Sequence, residues 1–225
     1  MPARGLIIAI DGPSGVGKGT VARAVARHFG YRHVDTGAMY RAVAWEALRR
    51  GVPLEDGPAV TSIAERAVFD LDGSRVVIDG HDVTAAIRTP EIDRAATLVA
   101  RQAPVRAQLV ARQREMGAHG GIVMEGRDIG TVVFPEADVK IFLDASPEER
   151  ARRRASDPAH AGHGAALATV AGELQARDQS DRTRAASPLL MATDAVRIDT
   201  TNVPADEVVR QVCALVEEIR PRAGR

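Results

Sequence analysis

The stretch Gly12-Pro13-Ser14-Gly15-Val16-Gly17-Lys18-Gly19-Thr20 decides the fold that this sequence predicts. An unbroken apolar run, residues 6–10, precedes it and indicates a buried parallel strand. After the glycines, apolar residues recur at helical spacing over residues 18–29. Glycines in such a strand-to-helix turn let backbone N–H groups converge, and the helix N-terminus and Lys18 add positive charge. We interpret residues 12–20 as a phosphate-binding loop, the alternative being an ordinary tight turn with a surface lysine.

One position in this loop departs from the general pattern, in which Ser or Thr directly follows the lysine. Here Gly19 intervenes and Thr20 comes next. This variant resembles the nucleoside and nucleotide kinases rather than switch GTPases, which also need an Asn-Lys-x-Asp string that the sequence lacks. The hydroxyl ligand of Mg²⁺ therefore stays open between Thr20, Ser14 and water.

The bulk composition narrows the class of protein. The 225 residues suffice for one sizeable α/β core, and their formal net charge is zero, which argues against a broad basic surface for nucleic acid. The one cysteine, Cys213, falls in a helical apolar pattern, so we expect it in the core and no disulfide framework. Without an apolar run of membrane-spanning length or a leader pattern, we expect a cytoplasmic protein with no membrane partner, acting as a monomer.

Strands and helices alternate along the chain, which predicts an α/β fold with a parallel sheet. We predict strands at residues 6–10, 31–35, 122–124, 139–144 and 196–199. Asp72-Gly73 between two apolar stretches signals a hairpin, and with it a small antiparallel subdomain inserted at about residues 60–95. Thr36 is expected to cap the helix that follows it. A basic helix at 147–156 and another helix at 165–178 enclose residues 157–164, whose composition indicates flexibility.

Acidic residues follow the predicted strands at the edge where a parallel sheet binds its ligands. They are Asp11, Asp35, Asp128, Asp144 and Asp199. Several of them are expected to face one crevice, and Asp128 is the most informative because it follows Arg127. It can hold Mg²⁺ through water or orient an acceptor. The alternative is a carboxylate neutralised by the neighbouring arginine.

Arginine is abundant along the chain, and phosphoryl transfer uses such groups for positioning and charge stabilisation. Arg152, Arg153 and Arg154 are consecutive on one helix, so at least one must face solvent. The string from Arg177 to Arg184 pairs opposite charges. It is either a binding surface for sugar hydroxyls or a base edge, or a salt-bridge cluster at a helix end.

These strings together resemble bacterial cytidylate kinases, a family of nucleoside monophosphate kinases, over essentially the whole chain. The matching stretches are residues 10–20, 35–41, 126–135 and 140–146, and Arg177-Asp178 with Asp181, Arg184 and residues 187–189. The first is shared with many kinases, whereas the third and the last are specific to this family. The stretch 126–135 and the insert argue against the other small-acceptor kinases on this core, such as those for adenylate or shikimate.

The resemblance implies a P-loop kinase fold of three layers, with a five-stranded parallel sheet, an inserted small sheet and a short helical lid. Residues 1–35, 100–146 and 179–225 would form the core, residues 36–99 the monophosphate-binding part and residues 147–178 the lid. The implied reaction is transfer of a phosphoryl group from ATP to CMP or dCMP with Mg²⁺. Water and the ATP phosphates would hold the metal, with Thr20 or Asp128 as further ligands.

The resemblance also implies roles for individual residues. ATP phosphates would lie in the loop, on Gly12, Pro13, Ser14, Gly15, Val16, Gly17, Lys18, Gly19 and Thr20. Arg41 and Arg127 would hold the acceptor phosphate, and Thr36 belongs to the same acceptor site. The cytosine would contact Thr97, Arg106, Asp128 and Arg184, and the pentose Arg177 and Asp181. The catalytic groups would be Lys18, Arg127, Arg154 and Arg177.

Overall fold

A computed structural model describes residues 5–157 and 166–219 of the chain. The main sheet has five parallel strands in the order β2-β6-β1-β7-β8. These strands are β1 (Ile7–Asp11), β2 (Arg32–Asp35), β6 (Ile122–Gly126), β7 (Val139–Asp144) and β8 (Val196–Asp199). All five lie where the sequence predicts a strand, within about two residues at each end. The parallel α/β fold is therefore confirmed.

Two hydrophobic cores lie on opposite faces of this sheet. Side chains alternate along β1, so Ile8 and Ile10 pack into one core while Ile7 and Ala9 pack into the other. Both faces are covered by helices, which explains why the strand is apolar at every position. Within the described residues the α-helices are α1 (Lys18–Phe29), α2 (Thr36–Arg49), α3 (Gly57–Arg66), α4 (Pro90–Ala100), α5 (Ala103–Gly117), α6 (Pro147–Ala155), α7 (Leu167–Thr183) and α8 (Ala205–Ile219).

The inserted antiparallel sheet is present but smaller than the predicted segment. Its three strands are β3 (Phe69–Asp72), β4 (Arg75–Ile78) and β5 (His81–Asp82). The rest of the segment belongs to α3 and α4, which flank the sheet. Ile78 is fully buried in the core shared with α2 and α5, so the insert is packed onto the molecule rather than appended to it.

Several local predictions need correction or fall outside the described residues. Asp35, not Thr36, caps α2, because the Asp35 carboxylate accepts a hydrogen bond from the Ala38 N–H at 3.1 Å. The residues between β6 and β7 include a π-helical turn, Ile129–Val133, that the sequence pattern does not predict. Most of the stretch expected to be flexible, with His160 and His163, lies outside the described residues. In the part of the chain that the structure describes, we find no helix able to cross a membrane.

Candidate active site

The phosphate-loop segment turns sharply between β1 and α1, and glycine is required there. A Cβ at Gly12 would overlap the backbone carbonyl oxygen of Leu143. Gly17 caps α1 in the left-handed region at φ 91°. The turn brings the N-terminus of α1 to the carboxyl edge of the sheet, where the helix dipole favours an anion.

Lys18 begins α1 and is buried beneath this loop. Its ammonium group donates to the carbonyl oxygens of Gly12 and Pro13, at 2.8 and 2.7 Å. Burial and the neighbouring positive charge of Arg127 lower its pKa to about 7. A buried cation held next to convergent backbone N–H groups is suited to a polyphosphate, whose negative charge would compensate the cost of its burial.

A cleft of about 520 Å³ opens at this edge of the sheet. The structure brings to it most of the loop and all of the predicted catalytic and acceptor-site residues. From these two sets it is lined by Ser14, Gly15, Gly17, Lys18, Gly19, Thr20, Thr36, Arg41, Thr97, Arg106, Arg127, Asp128, Arg154, Arg177, Asp181 and Arg184. Gly12, Pro13 and Val16 are buried behind the lining.

A chain of alternating charges lines one side of the cleft. Arg106 donates to Asp128 Oδ2 at 2.5 Å, and Asp128 Oδ1 lies 3.5 Å from Arg184. Arg184 in turn is 3.4 Å from Asp181, which accepts from Arg127 Nε at 2.8 Å. Each of the five is at least four-fifths buried. Such a network fixes its members in place, because each charge is compensated only in this geometry.

Burial and neighbouring charges shift the pKa values of this network. Burial opposes ionisation of Asp181, but Arg127, Arg177 and Arg184 outweigh it and lower its pKa. Burial and the nearby Arg106 lower the pKa of Arg184. Asp181 therefore stays ionised wherever the protein is folded near neutral pH, and it keeps the guanidinium groups in a shared orientation.

Tyr40 also lines the cleft, although the sequence pattern gives no reason to select it. The Arg106 guanidinium carbon lies 5.3 Å from the centre of its ring, a cation–π distance. Burial raises the pKa of Tyr40 to about 12. Tyr40 lies within the matching stretch 35–41, but nothing in that match gives it a role of its own. An aromatic residue on an apolar helix face ordinarily belongs to the hydrophobic core.

Only some of the strand-end carboxylates share the crevice. Asp35 and Asp128 both line this cleft, and Asp35 accepts a hydrogen bond from Arg41 at 2.8 Å. Asp11 points elsewhere, because both its oxygens accept from the N–H groups of Ile129 and Gly130, at 2.8 and 2.7 Å. Asp144 pairs with Arg197, and Asp199 accepts from the Thr201 N–H. The expectation of one shared crevice is therefore wrong for these three carboxylates.

The helices α6 and α7, which lie mostly in the predicted lid segment, place their arginines differently. Arg150 is buried, donates to Asp178 at 2.5 Å and to the Ser14 carbonyl at 3.2 Å, and so ties α6 and α7 to the phosphate loop. Arg152 is 65% exposed, which confirms that one of the three consecutive arginines faces solvent. Arg154 and Arg177 line the cleft, and both pair with Asp93 on α4, an acidic residue that the sequence pattern does not single out.

The cleft offers few oxygen ligands for a metal ion. Both carboxylate oxygens of Asp128 face guanidinium groups, so the structure argues against Asp128 as a ligand. Thr20 is exposed at the cleft and its hydroxyl is accessible. No group of three potential metal ligands among His, Cys, Asp and Glu occurs within residues 5–157 and 166–219. This donor set suits Mg²⁺ held mostly by substrate phosphates and water, with at most one hydroxyl from the chain.

The parallel sheet, the glycine-rich turn and the cation-rich cleft together define a phosphotransferase of the P-loop kinase class. The fold agrees with a gluconokinase from Sinorhizobium meliloti, at 17% identity, a TM-score of 0.51 and 98% coverage of each chain.

Sequence comparison identifies the family. The cytidylate kinase family model matches residues 8–218, and the chain belongs to this family. It is 51% identical over 216 residues to the cytidylate kinase of Pelotomaculum thermopropionicum, covering 93% of this chain and 95% of that protein. It is 47% identical to the cytidylate kinase of Desulfitobacterium hafniense, covering 96% and 94%.

Proposed function

We propose that this protein transfers the γ-phosphoryl group of ATP to CMP or dCMP, giving ADP and CDP or dCDP. The observation that carries the proposal is the charge of the cleft. The whole chain has zero formal net charge, yet the described residues lining the cleft include ten cationic side chains and five carboxylates. An excess of buried and half-buried cations is suited to two substrates that together carry four phosphates.

The donor end of the cleft is the phosphate loop. Backbone N–H groups of residues 14–20 at the N-terminus of α1 bind the ATP phosphates, and Lys18 supplies a full charge beside them. The donor set fits Mg²⁺ held by the phosphates and water, with Thr20 or Ser14 as a hydroxyl ligand from the chain. When bound, the ion neutralises charge on the transferred and leaving groups.

The acceptor end is the chain of alternating charges. Arg41 and Arg127 hold the acceptor phosphate, and Arg177 and Asp181 meet the pentose. Cytosine offers an N4 donor beside N3 and O2 acceptors, which pair with a carboxylate or hydroxyl and with guanidinium groups. Those partners are Asp128, Thr97, Arg106 and Arg184, while Thr36 lines the acceptor site. Uracil presents an acceptor where cytosine has its donor, so it would leave the Asp128 carboxylate facing another acceptor.

The lid supplies the remaining charge. Arg154 and Arg177 face the region between the two ends, where they stabilise the migrating phosphoryl group and, with α6 and α7, exclude water. No general base is needed, because the acceptor phosphate is already an anion. In this proposal residues 36–99 are the monophosphate-binding part, residues 147–178 the lid, and the remainder the core. The protein acts as a monomer in this proposal, in the cytoplasm where ATP and CMP occur.

The test is an assay of purified protein with MgATP and, separately, CMP, dCMP, UMP, AMP and GMP. We expect CMP or dCMP to give the highest kcat/KM, with UMP lower by about 10²-fold or more, as expected when a buried polar partner is mismatched. Fastest turnover with AMP or GMP would contradict the cytidine assignment. Tight GTP binding with no transfer to any monophosphate would contradict kinase activity itself.

A further inference from the structure

We infer that Asp93 is a positioning residue of the phosphoryl-transfer reaction, holding the two cleft-facing lid arginines together and fixing them to the helix that carries Thr97. The inference rests on the proposed function for its catalytic consequence. Its structural part concerns three elements that are distant in sequence: α4, α6 and α7.

Asp93 lies in the first turn of α4 with only 13% of its side chain exposed. Its Oδ2 accepts from Arg154 on α6, and its Oδ1 lies 3.1 Å from Arg177 on α7. One carboxylate thus bridges a guanidinium from each lid helix. Without it, these two like charges, together with nearby Arg41, would repel one another in a half-buried site.

Asp93 lies on the same helix as Thr97, one turn before it, and an i to i+4 hydrogen bond joins the two residues. The carbonyl oxygen of Asp93 accepts a hydrogen bond from the Thr97 hydroxyl at 2.9 Å. Thr97 lines the cleft one helical turn further along α4. The Asp93 carboxylate therefore connects the two lid arginines to α4, the helix on which Thr97 lines the cleft.

A second contact joins α4 to α7 and provides a matched control. Arg94, the next residue, lies 3.5 Å from Glu173 on α7, but both side chains are more than half exposed. This pair links the same helices without lining the cleft, and exposed pairs contribute little to stability. Breaking it tests whether any contact between α4 and the lid suffices, or whether the one at the guanidinium groups is required.

The experiment compares wild type, Asp93→Asn, Asp93→Glu and Glu173→Gln. In nucleotide-free protein, hydrogen exchange of the α6 and α7 amides should be about tenfold faster in Asp93→Asn, and unchanged in Glu173→Gln. Turnover of CMP by Asp93→Asn should fall about 10²-fold, because misplaced arginines lose transition-state contact. Its KM for MgATP should stay within about threefold of wild type, and Asp93→Glu should recover part of the rate.

Two results would overturn the inference. One is unchanged lid exchange in Asp93→Asn, which would show that Asp93 does not hold the helices. The other is unchanged kcat with raised KM values, which would place Asp93 in substrate binding alone. If wild type itself transfers no phosphate to CMP, the proposed function fails, whereas the exchange comparison still decides whether Asp93 fixes the lid.

Discussion

Lys18 shows how burial prepares a single residue for its ligand. With a pKa of about 7 it is mostly uncharged at pH 8, while a lysine in the unfolded chain remains protonated up to about pH 10.4. Between about pH 7 and about pH 10.4 the unfolded chain holds the proton that the folded chain has released. The contribution of Lys18 to the free energy of unfolding is therefore unfavourable below about pH 7 and becomes less so as the pH rises through this range. A polyphosphate beside Lys18 favours the charged form and should restore its proton.

The expected result is proton uptake on nucleotide binding. At pH 8, MgATP binding should draw close to one proton from the buffer, and at pH 6 almost none, because Lys18 is already charged there. Calorimetric titrations in buffers of different ionisation enthalpy measure this number directly. Lys18→Met should abolish the uptake; the same uptake in that variant would assign the proton to another group.

Asp128 is the counter-ion of two buried arginines, Arg106 and Arg184, so we expect its charge to stabilise the fold as well as to contribute to substrate binding. Asp128→Asn keeps the shape but leaves Arg106 and Arg184, both buried, without this counter-ion. Losing one partner of a buried ionic group costs about 3 kcal/mol of unfolding free energy. We expect that loss in urea unfolding, together with a KM for CMP raised about tenfold or more. A variant with normal stability and normal KM would refute both roles.

At the scale of elements, the lid helix α6 presents neighbouring arginines to different surroundings. Arg154 lines the cleft with a side chain 21% exposed, whereas Arg152 is 65% exposed. Arg154→Ala should lower kcat about 10³-fold, because a guanidinium on the transferred phosphoryl group acts mainly in the transition state. The KM for MgATP should change about threefold at most. Arg152→Ala, on the same helix, should behave as wild type.

This comparison has a clear negative outcome. Unchanged kcat in Arg154→Ala would show that Arg154, although it lines the cleft, does not act on the transferred phosphoryl group. An equal fall in both variants would show that the helix is sensitive to any loss of charge, rather than to the group that faces the cleft. Steady-state kinetics of the two variants, with thermal unfolding to show that both are folded, decides between these cases.

The elements were predictable from sequence because their signals are local. An unbroken apolar run predicts β1, and apolar residues at helical spacing predict α1. Both patterns occupy short windows of sequence, and both elements lie within one residue of their predicted bounds. The π-helical turn after β6 has no such period. Capping by Asp35 instead of Thr36 was also missed, since both residue types cap helices and only the backbone geometry selects between them.

At the scale of the whole molecule, the cleft combines residues from distant parts of the chain. Arg127 and Asp181 are 54 positions apart, and Asp93 and Arg154 are 61 apart. The sequence indicated which side chains could take part in binding and catalysis, but no local pattern predicts which carboxylate pairs with which arginine. The partners depend on strand order and on where the insert and lid pack, and these follow from long-range contacts. Asp93 was therefore visible only in the folded chain, and Tyr40, although it lies in the matching stretch 35–41, received its place in the cleft only there.

The two ends of the cleft make a prediction about binding that no single residue carries. A molecule joining adenosine and cytidine through five phosphates should span the loop and the acceptor network together, gaining effective concentration at the second end. At 100 times its Kd it should stabilise the fold by about 2.7 kcal/mol. For a chain of this length that corresponds to a rise in Tm of about 5–10 °C.

The control is the compound with adenosine at both ends, which places a purine against Asp128 and Arg106 and should give less than about half the shift at the same concentration. Equal shifts from both compounds would show that the acceptor network binds phosphate without selecting the base.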